Sequence, residues 1–127
     1  MQNDSTFLTA AQKIDLLSLI AGAPSEGANL TDANVTINPS EGCLRTLPAG
    51  TYTGNHNITL GTTGAGTGNP PCIMWVRIYD TTGNTKSFVN GGTGGGTLFT
   101  VAGGTAAAAY GFAYDGTNYY SIGFYFL

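Results

Sequence analysis

Residues Ala106–Leu127 read AAAAYGFAYDGTNYYSIGFYFL, and the fold turns on whether the first part of this stretch is a helix or a strand. Four successive alanines favour helix. The Asp115-Gly116 pair that follows is a hairpin-turn signal, and it tips Ala106–Tyr114 to a strand. The spacing predicts Tyr119–Phe126 paired with Ala107–Tyr114 across a turn at Asp115–Asn118. A polar, frayed end is usual unless something ties it down, so so aromatic a stretch needs cover. Period-two alternation puts Tyr120, Ile122, Phe124 and Phe126 on one face, expected to be core. Tyr119, Ser121, Gly123 and Tyr125 share the other face, where tyrosines around small residues suit contact with another chain. Tyr119, Tyr125 and the nearby Tyr114 are therefore the candidate subunit interface.

The segments before it repeat the pattern of short strand and turn. Val35 and Ile37 alternate with Thr36 in NVTIN; CLRTL (43–47) follows; LPAGTYTG places Pro48 and Gly50 where a tight turn between strands wants them. NITL (57–60) is a further strand. A loop, GTTGAGTGNPP, leads to CIMWVRIY (72–79). There Met74, Val76 and Ile78 form an apolar face and Ile73, Trp75 and Arg77 a mixed one, as in a sheet covered well on one side. DTTGN turns the chain into TKSFV, and NGGTGGG separates that from TLFTVA. Short strands punctuated by Gly, Asn and Asp predict an all-β domain over 35–127, an antiparallel sandwich or barrel of jelly-roll-like type.

One short α-helix is expected before it, within an N-terminal arm spanning 1–23, with 24–34 as a polar linker. Thr9 and Gln12 make a capping box, Gly22 suits the C-cap and Pro24 stops continuation. Ala10, Ile14, Leu17 and Ala21 share a stripe that Leu16, Leu19 and Ile20 widen. About three turns of helix are marginal alone, so the stripe must pack on its own domain, on copies of itself, or on a docking partner. Ala21 and Ala23 imitate a leader-cleavage site. The first twelve residues, however, hold no Lys or Arg and carry Asp4, and Lys13 and Asp15 interrupt the apolar block, so no cleaved leader is expected. The glycosylation patterns at Asn29, Asn34 and Asn57 are read as accidents of composition.

Only 9% of the 127 residues are charged, against about 25% in an average protein, so the polar surface must come from Thr, Asn, Ser and Gly. With 4 basic and 7 acidic residues there is no electrostatic footprint for nucleic acid or an anionic membrane. Cys43 and Cys72 lie in apolar runs and read as buried free thiols, with a disulfide between them as the alternative. His56 stands alone in TGNHN, and no pair of carboxylates is close in sequence, so no catalytic group is nominated and no enzyme activity is expected. GAGTGN and GGTGGG lack the lysine of a phosphate loop and each leads into a strand. Asp80 and Asp115 sit in ordinary turn sequences without the six or more oxygens that calcium requires, and no metal or cofactor is expected. Trp75 and Tyr52, beside amide-rich loops, are the candidate ligand-binding residues of an alternative reading as a carbohydrate- or receptor-binding module.

Taken together, the low charge, the Gly/Thr/Asn-rich loops, the LPAGTYTG turn and the FAYDGTNYYSIGFYFL stretch resemble accessory structural proteins of tailed-bacteriophage virions. The likeness is to capsid decoration (cement) proteins and head fibres. It covers Val35 to Leu127 and carries over no site residue. It implies a homo-oligomer, a trimer of β-sandwich or barrel subunits, made in the host cytoplasm, docked on the major capsid protein at the virion surface and without enzymatic activity. The helix and its approach, through Phe7, Leu8, Ile14, Leu17 and Ile20, are the candidate docking or helix interface.

Overall fold

A computed structural model describes residues 25–127; the expected helix and the candidate docking residues Phe7, Leu8, Ile14, Leu17 and Ile20 lie outside them. The described residues form eight strands: β1 Val35–Ile37, β2 Leu44–Leu47, β3 His56–Leu60, β4 Cys72–Ile78, β5 Lys86–Asn90, β6 Thr97–Val101, β7 Ala108–Tyr114 and β8 Tyr119–Phe126. They make two four-stranded sheets, ordered β1-β3-β5-β6 and β2-β4-β7-β8. The all-β expectation stands, but no barrel closes.

The expectation of antiparallel sheets is corrected, because both are mixed. β1 with β3, β3 with β5 and β2 with β4 are parallel, whereas β4 with β7, β5 with β6 and β7 with β8 are antiparallel. From β1 to β5 each strand lies in the other sheet from the one before, so a strand returning to its sheet runs in the same direction as its neighbour. Parallel neighbours need such a crossover. The turn residues of LPAGTYTG and DTTGN, expected as turns between strands, therefore make corners between sheets. Only NGGTGGG and DGTN join neighbouring strands of one sheet.

Side chains from both sheets share one core. Ile37, Ile58, Leu60, Phe88 and Val101 of the first meet Leu47, Met74, Val76, Ile78, Tyr110 and Phe112 of the second. The alternation expected in β4 holds, with Met74, Val76 and Ile78 inward. The alanines of β7 have a packing reason. Ala109, Gly111 and Ala113 line the outer face between large neighbours: Trp75 is in register with Gly111, and Tyr125 and Tyr120 are opposite Ala109 and Ala113. A Cβ on Gly111 would stand 2.8 Å from Cη2 of Trp75, so the glycine makes room for the indole ring. Residues 25–30 run beside β2, with the Gly27 and Leu30 amides donating to the Leu44 and Thr46 carbonyls. Arg45 and Arg77 hold that stretch through the Ala28 carbonyl and the Glu26 carboxylate.

Candidate functional site

The β7–β8 hairpin forms where the sequence predicts it, Ala108–Tyr114 against Tyr119–Phe126. Asp115 makes the turn by accepting the Thr117 and Asn118 amides, both at 2.8 Å, and these bonds hold its carboxyl below the usual carboxylate range. Within β8, however, the register shifts: Gly111 is opposite Gly123 and Phe112 opposite Ser121, leaving Ile122 as an extra residue. This is a β-bulge, and Gly123, at φ 121°, supplies backbone that side chains rarely adopt.

The bulge exchanges the two faces halfway along the strand. Tyr119, Ser121, Phe124 and Phe126 are in register with the inward residues Tyr114, Phe112, Tyr110 and Ala108, whereas Tyr120 and Tyr125 are in register with Ala113 and Ala109 on the outer face. Tyr114 and Tyr119, expected at a subunit surface, are instead buried in the core with their rings 4.9 Å apart. The Tyr119 hydroxyl donates to the Gly61 carbonyl at 2.7 Å, just past the end of β3, and burial raises its pKa. Tyr125 is half-buried against Trp75 at 5.4 Å.

The residues expected in the core form the exposed strip instead. Tyr120, Ile122, Phe124 and Phe126 are 53%, 46%, 47% and 60% exposed, and Leu127 continues the row. Phe124 and Phe126 point inward, but β8 is the edge strand of its sheet, and among the described strands β6 is the one of the other sheet that mainly faces it. Phe124 stacks on Tyr110 at 5.5 Å and touches Phe99 of β6 at 6.0 Å; Phe126 lies against Phe124 at 5.7 Å.

Neither candidate ligand-binding aromatic offers an open face. Trp75 is 5% exposed, Tyr52 2%. Tyr52 instead belongs to a polar cluster under the corners between sheets. The Asp80 carboxylate accepts the Tyr52 and Thr82 amides, lies 3.8 Å from Lys86 Nζ, and is buried with that lysine. Burial by itself pushes the Asp80 carboxyl up, but the two amides and the lysine outweigh it and hold it below the usual range. Burial, and then the Asp32 and Asp80 carboxylates, push the Tyr52 hydroxyl up to about 12. Outside it, Asp32 accepts from the Thr53 hydroxyl and pairs with His56 Nε2 at 2.7 Å. These groups tie loops together, with every Asp80 contact made to its own fold.

At the opposite end the Gly-rich loops lock onto the hairpin turn. Asn118 Oδ1 accepts the Asn90 side-chain amide and the Gly94 amide, and Asn90 Oδ1 accepts the Gly92 and Tyr119 amides. Ser25, the first described residue, pairs beside Leu44 at this same end. Cys43 and Cys72 are both free and half-buried. Hydrogen bonding from Cys72 lowers the Cys43 thiol to about 7. Among the described residues no three of His, Cys, Asp and Glu gather as they would to hold a metal ion.

No known family, curated protein or solved structure matches this chain. The strip along β8 is the main exposed apolar surface of the described residues, and the bulge that reverses its faces left one readable sign in the sequence. Gly123, alone among large residues, marks where the alternation is interrupted.

Proposed function

We propose that this chain is a non-enzymatic structural protein of a phage virion, a capsid decoration or cement protein, or a head fibre, that assembles as a trimer and stabilises the head by binding the major capsid protein. The two sheets form a sandwich, with residues 24–34 leading into it from the N-terminal arm. The observation that carries this reading is the row of large apolar side chains left open on β8 in a chain with so few charges. Lone small domains rarely keep contiguous apolar patches beyond a few hundred Å² unless something binds there. A protein that binds only the assembled shell adds its binding free energy to what must be lost before capsomers separate. Symmetric repetition multiplies weak contacts into firm attachment.

In this reading Met1–Ile20 makes the shell-facing contact through Phe7, Leu8 and the helix. The test is co-sedimentation of the full chain, and of a form lacking residues 1–23, with empty heads assembled from the major capsid protein encoded in the same genome. Full-length chain should sediment with the heads at a fixed ratio and the truncated form should stay in the supernatant. Failure of the full chain to sediment would overturn the reading.

A further inference from the structure

We infer that copies of this chain associate through the flank where β8 meets β6, each seating Phe124, Phe126 and Leu127 against a neighbouring copy. The inference rests on the assembly part of the reading above and names the surface that performs it. A run of aromatic contacts starts in the middle of the core and does not stop at the molecular surface. Phe112 touches Phe88 at 4.7 Å, Phe88 touches Tyr110 at 5.6 Å, Tyr110 touches Phe99 and Phe124, and Phe124 touches Phe126. Exposure along this run climbs from 0% at Phe112 to 60% at Phe126. Such a gradient is what a core looks like when it is cut at a subunit boundary.

The exposed side chains also lie on both faces of the strand, Tyr120 and Ile122 on the outer and Phe124 and Phe126 on the inner. A partner resting on one face would leave the other pair in water. Only a partner set against the edge of β8 reaches both. The size fits as well: five side chains about half exposed, at about 150–250 Å² for each aromatic, leave roughly 500 Å² of apolar surface. A standard interface covers about 800 Å² per partner, and about 65% of a homomeric one is apolar, which again is about 500 Å².

Two further observations favour a second copy over a foreign protein. Residues 97–101 and 119–127, which line this flank, contain no Asp, Glu, Lys, Arg or Pro, so the strip asks for no charge complement and its edge is guarded by the bulge at Ile122 but by no charge or proline. An apolar edge without charges favours pairing with another chain, and another copy is a partner always present in matching amount.

The experiment is the mass of the full chain in solution by multi-angle light scattering, beside Phe124→Ser/Phe126→Ser and Phe126→Asp variants, with near-ultraviolet circular dichroism as the check of fold. The wild-type chain should run as an oligomer, about 39 kDa for three chains of 13.0 kDa, and both variants should fall to the single-chain mass with native dichroism. Should the double variant fail to fold, Phe126→Asp decides alone, because its side chain is the most exposed of the strip. Wild-type mass in a folded variant would overturn the β8 interface while leaving assembly itself standing. A wild-type monomer at tens of micromolar would overturn both.

Discussion

Asp80 shows how one residue of a weakly charged chain can carry stability. It accepts two backbone amides and faces the buried Lys86, so replacing it orphans two donors and leaves a buried charge unpaired. Breaking a buried pair from one side costs about 3–5 kcal/mol, and Asp80→Ala should lose that much in urea unfolding. Lys86→Met on the same background should recover part of the loss by removing the uncompensated charge. Because the native Asp80 carboxyl lies below its unfolded value, its contribution is complete above about pH 4 and disappears as pH falls through the native pKa. Wild-type stability should thus decline as pH falls below about 4 more steeply than that of Asp80→Asn; parallel profiles would refute the assignment. Tyr119 makes a second single-atom link, from β8 to the end of β3. Tyr119→Phe leaves the Gly61 carbonyl without its donor and should cost about 1–3 kcal/mol in the same measurement.

At the level of the element, β7 is a strand because its neighbours need it to be narrow. Gly111→Ala places a methyl against Trp75 and Ile122 and should destabilise by about 1–3 kcal/mol, with a shift in tryptophan emission as the ring is displaced. Unchanged stability and emission would show that the indole does not depend on that space. The existence of every strand from Val35 onward was legible in the sequence, since apolar alternation and Gly/Asn/Asp turns are local signals. The Asp115–Asn118 hairpin was legible for the same reason. The faces of β8 were not, because one extra residue at Ile122 reverses inward and outward, and period-two counting carries no record of it. Nor was the pairing of β1 to β5, because Pro48 and Gly50 bend the chain in the same way whether the next strand joins the same sheet or the opposite one. The burial of Tyr114 and Tyr119 followed from that missing information. The exposure of Phe124 and Phe126 follows instead from the place of β8 at the sheet edge.

Across the whole molecule, the two hairpin ends are bound to each other by side-chain amides. Asn118 receives donors from the end of β5 and the loop after it, and Asn90 receives one from the start of β8, so the two sheets share a hydrogen-bonded seam. Asn118→Ala should loosen the 91–96 loop and speed hydrogen exchange at Gly94 about tenfold or more, leaving amides in the middle of β4 unchanged. Equal protection at Gly94 in both proteins would show that the loop is held by other contacts. The winding of β1 to β5 between the sheets also sets an order in time. While the chain is being synthesised, β1 has no neighbouring strand until β3 has emerged, and β2 has only residues 25–30 beside it until β4. The long-range pair β4 with β7 forms only after β6 has emerged, and β7 with β8, closed by a short local turn, comes last. Bringing distant strands together costs chain entropy before any contact repays it. The first half of the domain therefore waits on the second: a chain halted before Tyr119 has no β8 to cover the Gly111 side of β7, and no hydroxyl to join the two sheets at Gly61.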